Sequence, residues 1–315
     1  MKQSKTFLDF NVRTEKPPGV KTISWSQFTI YSKCPHHWKL NYALGLREFH
    51  HSIHTTFGTA FHETLQHYLT VMFNDSIKAA NEIDLNNMMA DQLSKEYKNN
   101  VQDMGKHYST PEELGEFYAD GVAILDWFKK KRGAYFSTKG YKLLGIEMPL
   151  MTPASETNPN IYMNGFIDIV IMDTDLDKII VYDIKTSTRG WNKYEKNDKH
   201  KTNQLVLYKS YFAEQYGYPE DKIDVKYFIC KRKLIENFAY PQKRIQEFIP
   251  ASGKPTRNKL RSEINHFISK CFDDSGNYNL NSIFPAVAGK KGNNCKWCEW
   301  KNDYEKCPLQ KRIQE

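Results

Sequence analysis

The segment GFIDIVIMDTDLDKIIVYDIKTS, residues 165–187, places two apolar runs on either side of the turn residues 174–177. Short runs rich in Ile and Val, bounded by Asp and Thr, read as a pair of strands joined by a tight turn. If Asp173 and Lys178 close that turn, Met172 faces Ile179, Val170 faces Val181 and Asp168 faces Asp183. Opposed side chains in an antiparallel pair stand roughly 4.5–5.5 Å apart at Cβ, and like charges there are destabilising. Both strands are apolar on both faces, so two carboxylates at this place need a proton, a cation or a metal between them. Lys185 follows Asp183 by two residues and therefore points to the same face.

Two carboxylates and an ammonium at one end of a hairpin suit phosphodiester hydrolysis. Hard oxygen ligands hold Mg²⁺ or Mn²⁺. The metal polarises the phosphate and lowers the pKa of a bound water. A lysine can orient or deprotonate that water, or neutralise charge on the phosphorane. A strand-end salt bridge between Asp183 and Lys185 accounts for those two residues, but it leaves Asp168 without a role.

Outward from the hairpin, the period of the sequence changes. Residues 141–150, 161–172 and 178–184 read as three successive strands, followed by a helix over 199–215 and strands over 225–230 and near Phe238. Upstream, Ser24 or Ser26 can cap a helix carrying Phe28, Tyr31, Trp38, Leu40 and Leu44, interrupted at Pro35. A second helix should begin near Phe57 and bury Phe61, Leu65, Tyr68, Leu69 and Met72. Residues 76–135 stay helical and polar-rich, which suggests an insertion covering one side of the core. A last helix is expected over 256–272. Helices, a three-strand meander, a helix and a strand make an α/β fold with a mixed central sheet. Residues 1–21 read as a polar tail and 22–315 as a single domain.

The chain has 315 residues, with 45 Lys and Arg against 37 Asp and Glu, a net charge of +8. A moderately basic surface favours a polyanionic partner, through counterion release at each phosphate contact. No run of 18 apolar residues is present, so no membrane partner is expected. No signal-peptide core is present either, which points to a cytoplasmic location, bacterial or in a phage-infected cell. Six cysteines in a reducing compartment are better read as thiols or metal ligands than as disulfides. No G-x-x-x-x-G-K-[ST] phosphate loop is present, so any ATP-driven unwinding belongs to a separate protein.

The ordered motifs GTAFHETL (58–65), GIEMPL (145–150), GFIDIV (165–170), VYDIKTS (181–187) and QLVLY (204–208) resemble the RecB/AddB-type nuclease domain of the PD-(D/E)XK superfamily. The resemblance implies a restriction-endonuclease-like core and a DNA nuclease that acts on DNA ends or single strands, as an exonuclease in recombination, repair or replication, with a separate helicase or recombination protein as a possible partner. It makes Asp168, Asp183, His62 and the Ile184 carbonyl the metal ligands and Lys185 the catalytic lysine. Gln204 and Tyr208 form the Q-x-x-x-Y pair beside the site, and Glu147 is a further acidic site residue. The bland alternatives are a core histidine at 62, a surface pair at 204 and 208, and a strand-end ion-pair partner at 147. A catalytically silent module of the same fold, holding DNA or a helicase, is the alternative function.

Cys295, Cys298 and Cys307 form C-x₂-C-x₈-C near the C-terminus. By the same resemblance, Cys34 in SQFTIYSKCPHHWKL (26–40) supplies a fourth thiolate, and the four hold a [4Fe–4S] cluster that staples the first helix to the C-terminal tail. The last spacing is longer than the resemblance leads one to expect, which leaves Zn²⁺ or unligated thiols open. Cys230 and Cys271 are expected in the core.

Overall fold

A computed structural model describes residues 15–47 and 50–314. The expected tail falls mostly on residues outside these, and its last residue, Lys21, already opens a strand. In chain order the elements begin with β1 (Lys21–Ile23), α1 (Trp25–Lys33) and α2 (Pro35–Trp38). Four helices follow: α3 (Ile53–Asn74), α4 (Ile77–Glu82), α5 (Leu85–Met104) and α6 (Pro111–Lys131). The hairpin strands are β2 (Tyr141–Pro153), β3 (Ile161–Asp173) and β4 (Lys178–Ser187), then come α7 (Lys193–Asn197) and α8 (Lys199–Tyr216). The chain closes with β5 (Ile223–Lys231), β6 (Ile245–Phe248), α9 (Lys254–Cys271), β7 (Ala286–Val287) and β8 (Arg312–Ile313).

Two compact units result, and β2 and β3 contribute residues to both. The first comprises His50–Met148 and Phe166–Ser252. In it β2 pairs with β3, β3 with β4 antiparallel, β4 with β5 parallel, and β5 with β6 antiparallel, so the sheet is mixed as expected. Asp173 pairs with Lys178, Met172 with Ile179 and Val170 with Val181, the register read from the sequence. Turn chemistry pins it: the Asp173 carboxylate accepts from the amides of Asp175 and Leu176 at 3.1 and 3.0 Å.

One sheet face, with Ile169, Ile171, Tyr182, Ile184, Phe228 and Cys230, packs against α3, α5 and α6. The helices expected between 76 and 135 thus cover this face. Val181, Asp183 and Lys185 alternate with those residues and belong to the opposite face, where α8 lies against β4 and β5. Helix α3 starts a turn earlier than the apolar period suggested, because Ser52 and Thr55 cap its amides reciprocally. The strand expected near Phe238 is absent: Phe238 is 53% exposed in a loop, and the edge strand is β6 instead. Residues 235–240 have too little cross-strand burial to offset ordering an extended edge.

The second unit holds residues 15–47, Pro149–Gly165 and 253–314. Here β1 runs parallel to 161–163 of β3, and β7 pairs with β8. Ser24 caps α1, and Pro35 ends it by opening α2, which passes into a π-helical turn at Lys39–Ala43. Trp38 is the hub of an aromatic cluster with Tyr31, Phe267, Phe272, Tyr278 and Phe284. Cys230 and Cys271 are fully buried core residues, as expected. No helix among the described residues is long and apolar enough to cross a membrane.

At the end of β5, buried Arg232 pairs with Asp120 of α6 at 3.1 Å and lies 3.6 Å from the Phe117 ring centre. Lys233 bridges Asp120 and exposed Glu116, each at 2.9 Å. Removing one partner of a buried pair strands the other charge, whereas an exposed pair contributes little. Asp120→Ala should therefore cost about 3 kcal/mol in urea unfolding. Glu116→Ala should change stability by less than about 0.5 kcal/mol. Equal costs would show that the clasp is not held by the buried pair.

Candidate active site

All the residues singled out around the hairpin lie in the first unit, and the fold gathers them. The β3–β4 ladder ends at the Ile169–Tyr182 pair, one step short of the two acids. Beyond it, the Asp168 side chain turns toward β4, and its Oδ2 accepts from the Ile184 amide at 2.6 Å. Asp183 is 4% exposed. Lys185 Nζ lies 2.7 Å from Asp183 Oδ2 and pairs with it. A desolvated carboxylate so paired still offers its other lone pairs to a hard cation.

Helix α3 contributes His62, whose Nδ1 is 3.7 Å from Asp168 Oδ2 and whose ring also hydrogen-bonds the Ile184 backbone. Helix α8 contributes Gln204, whose Oε1 accepts from Lys185 Nζ at 3.3 Å. The Gln204 amide in turn donates to Tyr208 Oη at 3.3 Å. The i, i+4 spacing stacks Gln204 and Tyr208 on one helix face, so the pair reads as a brace for the lysine.

Glu147 approaches from β2, near enough that its charge raises the pKa values of both Asp168 and His62. Its backbone adopts a left-handed conformation, φ 48°, inside β2, which is costly for a residue with a Cβ. Its carboxylate accepts from Gln66 Nε2 at 2.6 Å, and the same nitrogen donates to the Asp168 carbonyl at 3.2 Å. Gln66 thus joins Glu147 to β3. The sequence reading missed it, although it follows His62 by four residues and so shares that helix face, a spacing that could have marked it.

Burial dominates the electrostatics. It pushes both Asp168 and Asp183 up to about 6, a rise that Lys185 only partly offsets and that Asp168 reinforces at Asp183. Burial, helped by the Lys185 charge, lowers His62 to about 4, so the imidazole is neutral at pH 7, the form that ligates metal. At Lys185 burial alone would favour the neutral amine, but the Asp183 and Asp168 carboxylates outweigh it and raise its pKa. Two acids and a neutral imidazole converging at a poorly hydrated strand end fit a divalent cation bound by oxygen and nitrogen.

In the second unit, Cys34, Cys295, Cys298 and Cys307 line one pocket together with Leu40, Ala286 and Trp300. Cys34 links α1 to α2, and its sulfur accepts from the Val287 amide at 3.3 Å. Burial raises the Cys34 thiol and pushes Cys298 up to about 12. Among the described residues, the three metal-capable ligand atoms found within 4.8 Å of one another belong to His37, Cys298 and Glu299.

The raised aspartates make a pH-dependent prediction for the metal-free protein. A folded-state pKa above the unfolded value means that protonation favours the fold. That contribution is complete below about 3.8 and is lost as pH rises through about 6. Asp168→Asn removes the ionisation while keeping an acceptor for Ile184. In EDTA at pH 7.5 the variant should be more stable than wild type by on the order of 1–2 kcal/mol. The gap should close as pH falls from 6 to 4; a variant less stable at pH 7.5 would show that the ionised carboxylate itself supports the fold.

The profile described as the PD-(D/E)XK nuclease superfamily matches residues 22–302, which include every residue of this site. A search of curated proteins finds no match to the chain. With most of its length matched, the chain belongs to the PD-(D/E)XK nuclease superfamily, a family of nucleases that use divalent metals.

Proposed function

We propose that the protein is a Mg²⁺- or Mn²⁺-dependent deoxyribonuclease of the RecB/AddB type, acting from DNA ends, with residues 22–315 as its nuclease domain. The observation that carries this reading is the Asp168–Asp183–Lys185 set at the end of the β3–β4 hairpin, with His62 and Gln204 in contact with it. Asp168, Asp183, His62 and the Ile184 carbonyl would hold the cation, which supplies Lewis acidity to the scissile phosphate. The Ile184 amide keeps Asp168 turned inward. Lys185, held charged by the two carboxylates and aimed by Gln204, donates from Nζ to a phosphate oxygen and neutralises charge developing in the phosphorane. Tyr208 fixes the Gln204 amide, and Glu147 acts through Gln66 on the position of β3. An intact acid–acid–lysine set disfavours the alternative of a silent DNA- or helicase-binding module.

For the cysteine pocket we propose a [4Fe–4S] cluster on Cys34, Cys295, Cys298 and Cys307. The convergence of four thiols in an apolar pocket supports it. The compact His37–Cys298–Glu299 set is the observation that favours the zinc reading. The cluster's role is structural, joining Cys34 to the C-terminal residues across a very long loop. The proposed setting is DNA recombination, repair or replication in a bacterial or phage-infected cytoplasm, with any helicase as a separate chain.

Digestion of end-labelled linear and closed circular DNA tests the activity. Linear DNA should be degraded with Mg²⁺ or Mn²⁺ and spared in EDTA, and closed circles should survive. Asp183→Ala and Lys185→Ala should each lower the rate by about 10³-fold or more while DNA is still bound. Wild-type rates in either variant would remove the mechanism, and cutting of circles would remove the end requirement.

Anaerobic purification tests the cluster. The protein should be brown, absorb near 400 nm and contain about four irons per chain; Cys34→Ser should bleach it and expose the residues around Cys295–Cys307 to protease. One zinc in a colourless protein would establish the alternative, and a metal-free protein with a protease-resistant C-terminus would refute both.

A further inference from the structure

We propose that Tyr227 is a positioning residue for cleavage: its hydroxyl holds the first turns of α8 where Gln204 meets the catalytic lysine. The proposal rests on the nuclease reading for the reaction and adds to it a residue outside the motifs that define the site. Tyr227 stands beside Asp183 in the parallel β4–β5 pair and is fully buried on the face that α8 covers. Its hydroxyl donates to the Lys201 carbonyl at 2.9 Å, with the Thr202 carbonyl at 3.1 Å, and accepts from the Leu205 amide at 3.3 Å. Lys201 and Leu205 are four apart, so this carbonyl and this amide are the two ends of one rung of the helix. A side chain from the sheet thus grips a rung of α8 at both ends. Gln204 lies within that rung, and the gripped amide belongs to the peptide unit that joins Gln204 to Leu205.

Packing does not require this hydroxyl. A phenylalanine ring would fill the same space without a buried polar atom to satisfy, and the rung's carbonyl and amide can satisfy each other. What the hydroxyl adds is the placement of α8 over β4 and β5. The ring that carries it is itself immobilised. It packs on Trp191 and on Phe248 of β6, with ring centres 4.8 and 6.2 Å away. The Gln246 side chain clamps the Trp191 backbone in turn, accepting from its amide at 2.7 Å and donating to its carbonyl at 3.1 Å. Gly190 makes this approach possible: at φ 86°, an added Cβ would come within 2.9 Å of both Gln246 and Lys231.

Placement matters because the contact it serves is near its limit. Gln204 Oε1 accepts from Lys185 Nζ at 3.3 Å. A retreat of α8 by roughly a few tenths of an ångström takes that contact out of hydrogen-bond range. The other Gln204 bond, to Tyr208, lies within α8 and moves with it, so it cannot correct the loss. Displacing a group at a reacting centre by about 1 Å can lower a rate about 100-fold. Here the Asp183 ion pair still holds the ammonium, so the loss is partial.

Steady-state cleavage of end-labelled linear DNA is measured for the full-length wild type, Tyr227→Phe, Gln204→Ala and the double variant. Tyr227→Phe keeps the ring and should lower kcat about tenfold, with KM changed by less than about twofold. In the Gln204→Ala background the same change should alter kcat by less than about twofold, because the hydroxyl acts through Gln204. A ring with a merely structural role would lower kcat equally in both backgrounds. Hydrogen exchange of the metal-free proteins, read by mass spectrometry of peptic fragments, supplies a measure that needs no cleavage. In Tyr227→Phe it should quicken at residues 199–208 and stay as in wild type at 209–216 and across α3. Wild-type kcat in Tyr227→Phe, equal losses in the two backgrounds, or exchange that quickens throughout the chain would each overturn the proposal. Local loosening at 199–208 together with a wild type inert in Mg²⁺ and Mn²⁺ would leave the brace on α8 standing and remove the nuclease reading instead.

Discussion

A single backbone amide decides the geometry of this site. The Ile184 amide donates to the Asp168 carboxylate at 2.6 Å, just beyond the last ladder pair of β3 and β4. A side chain replaces the next ladder bond, so the strands stay together while one carboxylate is drawn across onto the other strand. Its oxygen then lies 3.7 Å from His62, and the ring of His62 bonds back to Ile184. A one-residue slip of the hairpin would turn Asp183 and Lys185 to the α3–α6 side and dismantle the arrangement. The Asp173 turn, which fixes the register, is therefore as much part of the site as the aspartates.

That geometry carries an electrostatic cost, which the site's neighbours only partly offset. A buried and a half-buried acid, both with raised pKa values, stand beside one lysine, an arrangement that a bound cation would relieve. The helices on both sheet faces create the burial: α3, α5 and α6 cover one side, and α8 the other. The Arg232–Asp120 clasp ties α6 to β5 and so anchors the helical cover on the sheet face opposite Asp183. The left-handed Glu147 belongs to the same pattern of local strain held in place by neighbours, here by Gln66.

The second unit solves a different problem. Trp38 and its ring partners give it an aromatic core, while residues 285–314 contribute few buried apolar side chains beyond Ala286, Ala288, Trp300 and Cys307. Polar contacts fill part of the gap: Asn41 accepts from the Trp300 indole at 2.6 Å and donates to Glu299 at 2.7 Å. A metal centre on the four thiols would supply the rest, because ligand bonds constrain a segment that burial alone holds weakly.

The sequence by itself determined the hairpin, its register and the facing of Asp168, Asp183 and Lys185. Alternation in a strand and the closure of a short turn are local, and both can be read from 165–187 without knowing what packs above them. It also determined the helix face of Gln204 and Tyr208, since 3.6-residue periodicity is local too. Motif order, read as a resemblance, added His62 and Glu147, which no local rule connects to the hairpin. Only the tertiary structure decided that Glu147 hydrogen-bonds Gln66, that β6 and not the Phe238 segment forms the edge, and that four cysteines separated by up to 273 positions share one pocket. Each of these depends on which surfaces meet after folding, and burial against a distant partner leaves no periodic trace in the chain.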